Sequence, residues 1–121
     1  MSLELARLAA CAATNKTLEE TTILDVSGLL SITEYFVITA GRNERQVHAI
    51  LDEIGAKLRA AGEGPPRHVE GQNDGRWVLV DYGSFVVHIF EAESREFYGL
   101  ERLWSDAPRI AFDLADISAR S

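Results

Sequence analysis

The stretch WVLVDYGSFVVHIF, residues 77–90, decides the fold. Two runs of aliphatic, β-branched and aromatic residues flank Gly83-Ser84, and glycine in the first position of a two-residue loop favours the type II′ turn of a β-hairpin. Counting outward from that turn pairs Tyr82 with Phe85, Val80 with Val87 and Val78 with Ile89. These six share one face of the hairpin and carry no charge, so that face is expected to lie against helices. The opposite face pairs Trp77 with Phe90, Leu79 with His88 and Asp81 with Val86. It is too aromatic for an ordinary solvent face, and ordinary cores do not hold an unpaired aspartate.

Helices for the covered face lie upstream. Ser2 can cap a first helix in which Leu5, Leu8, Ala9 and Ala12 recur at helical spacing, with Asn15 and Lys16 as its close. TTILDVSGLL and EYFVITAG read as strands joined through Ser27-Gly28, and Ser31-Ile32-Thr33-Glu34 between them allows at most one helical turn. Asn43 with Gln46 three residues on opens the best helix: Val47, Ile50, Leu51, Ile54 and Leu58 form its apolar stripe and Gly62 its stop. HVEGQNDGR is expected to give a short strand and a loop. After the hairpin, Ser94 is the expected cap of a short helix with Phe97, Leu100, Leu103 and Trp104 at near-helical spacing, weakened at Gly99 by about 1 kcal/mol.

Four or five strands at about 4.8 Å spacing make a sheet roughly 20–24 Å wide, which about two helices of 10 Å diameter roof on one side. The expected fold is therefore α+β in two layers: a mixed four- to five-stranded sheet with two long helices mainly on one face. Little remains to cover the other, so the surface of Trp77, Leu79 and Phe90 is expected to be largely open, and an apolar patch of that kind marks an interaction site. Residues 1–108 are read as one domain and residues 109–121 as a tail, docked or mobile.

Composition narrows the function. The net charge is −7, and ten arginines and two lysines stand against nineteen acids with no basic run. Binding to a nucleic-acid backbone is disfavoured, and a basic protein partner is favoured. No run of eighteen apolar residues occurs and the N-terminal stretch carries Glu4 and Arg7, so the reading is neither membrane-spanning nor secreted but cytoplasmic. Cys11, the one cysteine, is given no function.

Chemical sites find little support. His88 as a general base lacks an evident nucleophile or orienting partner, and the plainer reading is a histidine bonded to Asp81 or to a backbone group. His48, His68 and His88 stand twenty residues apart without further ligands at metal spacing. Gly41-Arg42-Asn43, between a strand and a helix N-terminus, has the form of an anion site but is more commonly only a cap. Asp25, Glu34, Asp81, Glu91 and Glu93 lack the closely spaced pair that a two-metal site needs.

The segments LDVSGLLSITEYFVITAGRNERQVHAI, WVLVDYGSFVVHIF and REFYGLERLWSDA together resemble the ribosomal silencing factor family, also called iojap-like proteins, from about residue 3 to residue 108. Matching positions include Asp25, Gly28, Ser31-Ile32-Thr33, Gly41, Arg45, Gly71, Trp77, Asp81, Gly83, Val87-His88, Arg95, Tyr98, Leu100-Glu101 and Leu103-Trp104. Leu30, Glu34 and Ser84 depart from the usual serine, aspartate and aspartate. The resemblance implies a topology similar to the nucleotidyltransferase core without its catalytic carboxylates. It further implies binding to the large-subunit ribosomal protein numbered fourteen, where occupancy blocks joining of the subunits and represses translation under nutrient limitation. A homodimer is implied for the free protein.

On these readings Trp77, Leu79, Asp81, His88, Phe90, Arg95 and Tyr98 are the expected docking residues, with Trp77 the main anchor and Asp81 a charge partner for a lysine or arginine. Glu101, Leu103 and Trp104 are expected to hold the last helix to the sheet, with a possible contact at the rim. No catalytic residue, metal or cofactor is expected. The competing readings are a small metal-dependent nucleotidyltransferase using Asp25 and Asp81, and a purely structural dimerisation module.

Overall fold

The Asn43 side chain accepts from the Gln46 amide at 2.9 Å, which satisfies one orphan amide of the first turn, and the Gln46 side chain accepts from the Arg42 amide before the cap at 2.6 Å, so the helix start is tied from both sides. The helix that follows, α2 (Glu44–Ala60), buries Val47, Ile50, Ile54 and Leu58 on one side. It packs beside α1 (Ser2–Thr14), whose alanine-rich face is buried and lets the two helices approach closely. The Ser2 hydroxyl donates to Glu34 at 3.1 Å. The computed structural model describes residues 2–112, and the expected tail beyond Phe112 lies outside the described residues.

Six strands form one mixed sheet: β1 (Thr22–Asp25), β2 (Tyr35–Gly41), β3 (His68–Glu70), β4 (Trp77–Asp81), β5 (Phe85–Glu91) and β6 (Arg109–Ile110), in the order β3-β4-β5-β2-β1-β6. Among the described residues, only β2 and β5 pair in parallel. Every residue of β2 after Tyr35 is buried, because helices lie over one face of this central strand and the C-terminal segment lies over the other. The sheet is wider than the expected four or five strands by the two-residue β6, which is too short to leave a periodic signal. Residues 27–34 make turns and bends without a helix.

The hairpin has the register counted from Gly83-Ser84: Trp77 opposes Phe90, Leu79 opposes His88 and Asp81 opposes Val86. Gly83 has a φ of 91°, the conformation that glycine supplies to such a turn, and the Tyr82 amide donates to the Phe85 carbonyl at 3.0 Å. Val78, Val80, Phe85, Val87 and Ile89 join α1 and α2 in the main core. Val80→Ala leaves a cavity there and is expected to lower stability by about 1–3 kcal/mol, measured by urea unfolding. A midpoint unchanged from wild type would mean that the face assignment is inverted.

After β5 the chain departs from the single capped helix read from the sequence. One helix, α3 (Ala92–Tyr98), has Glu91 rather than Ser94 at its N-cap position. Gly99 then turns left-handed at φ 58°, and α4 (Leu100–Leu103) sets off in a new direction. Only Leu100 and Trp104 of the expected apolar series turn inward; Phe97 and Leu103 are 80% and 74% exposed.

Candidate docking surface

The second face of the sheet is half covered, which corrects the expectation of a face bare of helices. Leu24, Val26, Phe36, Ile38, Ala40 and Phe90 form a second core with Leu100 and Ala107, and Trp104 packs against it. Phe90 is wholly buried and His88 is 4% exposed, so neither offers surface to a partner. The short helices around Gly99, too small to roof a sheet alone, lie over its centre and supply cover that sheet width and the two long helices do not account for. What stays accessible is a strip of this face along β4, inside the edge strand β3, together with the end of α3. Trp77, Leu79 and Asp81 are half-buried, and Tyr98 is 51% exposed.

Trp77, the first residue of β4, joins the two parts of this surface. Its indole stacks on Phe90 with ring centres 5.0 Å apart and 28° between planes, and the Tyr98 ring approaches to 4.8 Å. The indole Nε1–H donates to His88 Nδ1 at 3.1 Å. The expected His88–Asp81 bond does not form: Asp81 Oδ1 instead accepts from the Gly83 amide at 2.7 Å and ties down the hairpin turn. His88 also meets Phe36 edge to face at 4.6 Å, and its Nε2 is buried without a hydrogen-bond partner.

Arg95 is removed from the docking set by its own contacts. Its Nε donates to Glu101 at 2.9 Å and its Nη1 to the Glu20 carbonyl, with only 14% of the side chain exposed. Glu101 accepts as well from Thr22 at 3.1 Å. Burial opposes the charge on Glu101, but the bond and charge of Arg95, aided by Thr22 and Arg109, outweigh it and hold the carboxyl below its usual range. Arg95 and Glu101 thus strap α3 and α4 to β1, and Trp104 joins them by meeting Phe36 edge to face at 5.7 Å. Leu103, expected to hold the helix down, points outward, because the turn at Gly99 rotates it away from the sheet.

Sequence spacing also missed Phe97. It stands 5.2 Å from Tyr98 and extends the exposed aromatic edge. Its helical spacing with Leu100 suggested a core position, and only the bend at Gly99 makes it a surface residue.

Two histidines give this region opposite pH dependences. His88 is lowered to about 4 because burial disfavours its charged form. Its stabilising effect is whole above the unfolded value of 6.5 and declines as pH falls from there through about 4. His48 is half-buried on α2; its Nδ1 faces the Glu44 carbonyl at 3.0 Å and its Nε2 the Gln72 carbonyl at 2.8 Å. Only the imidazolium donates to both, and these bonds raise its pKa. That clamp, which ties α2 to the loop before Trp77, is complete below 6.5 and is lost as pH rises through the raised value. Melting temperatures across pH 4–8 are expected to fall less steeply toward acid in His88→Phe than in wild type, and less toward neutrality in His48→Gln. Parallel curves for wild type and both variants would contradict these assignments.

No three His, Cys, Asp or Glu side chains gather at a metal-holding distance among the described residues. No helix among them is long and apolar enough to cross a membrane. Asp25, proposed for metal chemistry in the competing reading, caps the turn at Ser27 through bonds of 3.0 and 2.6 Å. Gly41 is needed for packing, since a Cβ there would stand 2.8 Å from the Val47 amide nitrogen.

The arrangement defines a class: an α+β protein with a mixed sheet, one face roofed by helices and the other half covered. A solved protein of Chromobacterium violaceum shares it with a TM-score of 0.80 at 33% identity, covering 91% of this chain and 90% of that one. One from Bacillus halodurans shares it at 0.77 and 34% identity, covering 91% and 99%. The family described as ribosomal silencing factor during starvation matches residues 1–121, and the chain belongs to it. The ribosomal silencing factor of Bacillus subtilis is 41% identical over 108 residues, 88% of this chain and 90% of that protein. A mouse protein named for mitochondrial assembly of the ribosomal large subunit is 35% identical over 86 residues, 69% of this chain and 37% of its own length.

Proposed function

We propose that the chain silences translation by docking on the large ribosomal subunit through the edge of Trp77, Leu79, Asp81, Tyr98 and Phe97, where its bulk blocks joining of the small subunit. The observation that carries this is a half-buried tryptophan in an exposed aromatic cluster on a protein whose family is that of ribosomal silencing factors. Such anchors concentrate binding energy at interfaces. The partner is a basic ribosomal protein, the one numbered fourteen in the family's pattern, drawn by a chain of net charge −7. Asp81 keeps one carboxylate oxygen for a lysine or arginine of that partner, because the turn amide takes only the other.

No reaction is part of this function, and the cytoplasm under nutrient limitation is its setting. Two free copies pair through the same aromatic edge, which shields Phe97 and Tyr98 from water until a subunit is met. The test mixes isolated small and large subunits with and without the chain and follows their joining on a density gradient. Fewer joined ribosomes with increasing chain are expected; unchanged joining at saturating chain would refute the block. Calorimetry with Mg²⁺ and nucleotide separates the competing enzyme reading, which alone requires saturable nucleotide binding.

A further inference from the structure

We infer that His88 is a positioning residue for docking: it accepts the Trp77 indole proton at Nδ1, carries its own proton on Nε2, and so fixes the orientation in which the indole meets the partner. The inference rests on Trp77 being the anchor of the docking surface.

The indole has one polar hydrogen, and the protein takes it internally at 3.1 Å. Phe90 stacks on the ring and Tyr98 meets it tilted at 48°, but such contacts, which lack a directional bond, leave a ring freedom to slide and rotate within its plane. A directional bond at Nε1 removes that freedom.

His88 is itself held from behind. Phe36 meets it at 4.6 Å and 74°, and Trp104 meets Phe36 at 5.7 Å and 87°. The rings Trp104, Phe36, His88 and Trp77 therefore form a chain of contacts from the covered half of the sheet face to its open part.

The chemistry at position 88 argues for the same role. Nε2 is buried without a partner, a standing cost that phenylalanine would avoid while filling similar space. The hydrogen bond that the ring makes goes to Trp77. One consequence concerns the partner: the indole N–H is not on offer, so the docked surface meets a ring face and edge, suited to apolar or cationic side chains and not to a carbonyl acceptor.

The test uses the full chain. Exchange of the Trp77 indole N–H with solvent is followed by NMR, with Trp104→Phe separating the two indole signals, and affinity for isolated large subunits is measured in parallel. His88→Phe is expected to speed indole exchange and to weaken docking by about fivefold, the weight of one hydrogen bond. His88→Asn, whose Oδ1 stands near the place of Nδ1, is expected to restore both, and His88→Phe is expected to add nothing to the docking loss of Trp77→Phe.

Should His88→Phe fail to fold, the comparison of His88→Asn with His88→Gln decides: slow exchange in the first alone supports the assignment, and equal exchange overturns it. Wild-type docking in a folded His88→Phe, or a wild-type indole exchanging as fast as in that variant, also overturns it. If the wild-type chain has no affinity for large subunits, the docking reading fails by itself and the indole exchange still decides whether His88 holds Trp77.

Discussion

Phe90→Ala lowers the stability of the folded chain by about 3–5 kcal/mol, the largest effect expected of any single substitution on the second face. The side chain is wholly buried between the sheet and the C-terminal segment, and its ring is the platform on which Trp77 stacks. Its removal opens a cavity where Leu100 and Ala107 close the second core, and rigid strands on either side limit collapse. Urea unfolding read by circular dichroism measures the loss. A folded variant as stable as wild type that no longer docks would return Phe90 to the interface, where sequence pattern had placed it.

Trp77→Ala divides its effect the other way. Docking on large subunits is expected to weaken by at least about 2 kcal/mol, roughly thirtyfold, because an anchor in an aromatic cluster is lost from the contact. Stability falls by a smaller amount, about 1–2 kcal/mol, since the indole also stacks on Phe90 and bonds His88. The pattern of residues 77–90 points to a largely open surface at Trp77; the half-buried ring is what adds a loss of stability. Titration of labelled chain against isolated large subunits, beside urea unfolding of the same variant, gives both numbers. Equal losses in the two would place Trp77 in the core and not at a docking surface.

The hairpin was legible because two local signals agree: an alternation of period two, and a glycine where the turn needs a positive φ. The capped α2 was legible for the same reason, since Asn43, Gln46 and the stripe from Val47 to Leu58 all specify one helix. The strand at Arg109–Ile110 was not, because two residues carry no period and its pairing with β1 is set by the chain around Pro108, whose carbonyl accepts from the Asp25 amide at 2.8 Å. Cover over the second face was hidden by Gly99. Phe97, Leu100, Leu103 and Trp104 form a helical series only if the helix runs straight, and the left-handed turn sends Leu100 and Trp104 inward and the other two outward.

The docking candidates divide along the same line. Trp77, Leu79, Asp81 and Tyr98 remain accessible, whereas His88, Phe90 and Arg95 are claimed by internal contacts. Trp77 and Asp81 are the two diagonal neighbours of His88 on the sheet, and from the sequence only Asp81 or a backbone group is expected as its partner. In the structure the Asp81 carboxylate accepts from the Gly83 amide through one oxygen, and the imidazole accepts from the indole. Such a choice of partner depends on positions that one-dimensional spacing does not carry.

Sedimentation of the purified chain with isolated ribosomal subunits tests the central claim most directly. The chain is predicted to travel with large subunits and not with small ones, and Trp77→Ala is predicted to stay near the top of the gradient. Wild-type chain left at the top beside large subunits, or carried equally by both subunits, would contradict the account.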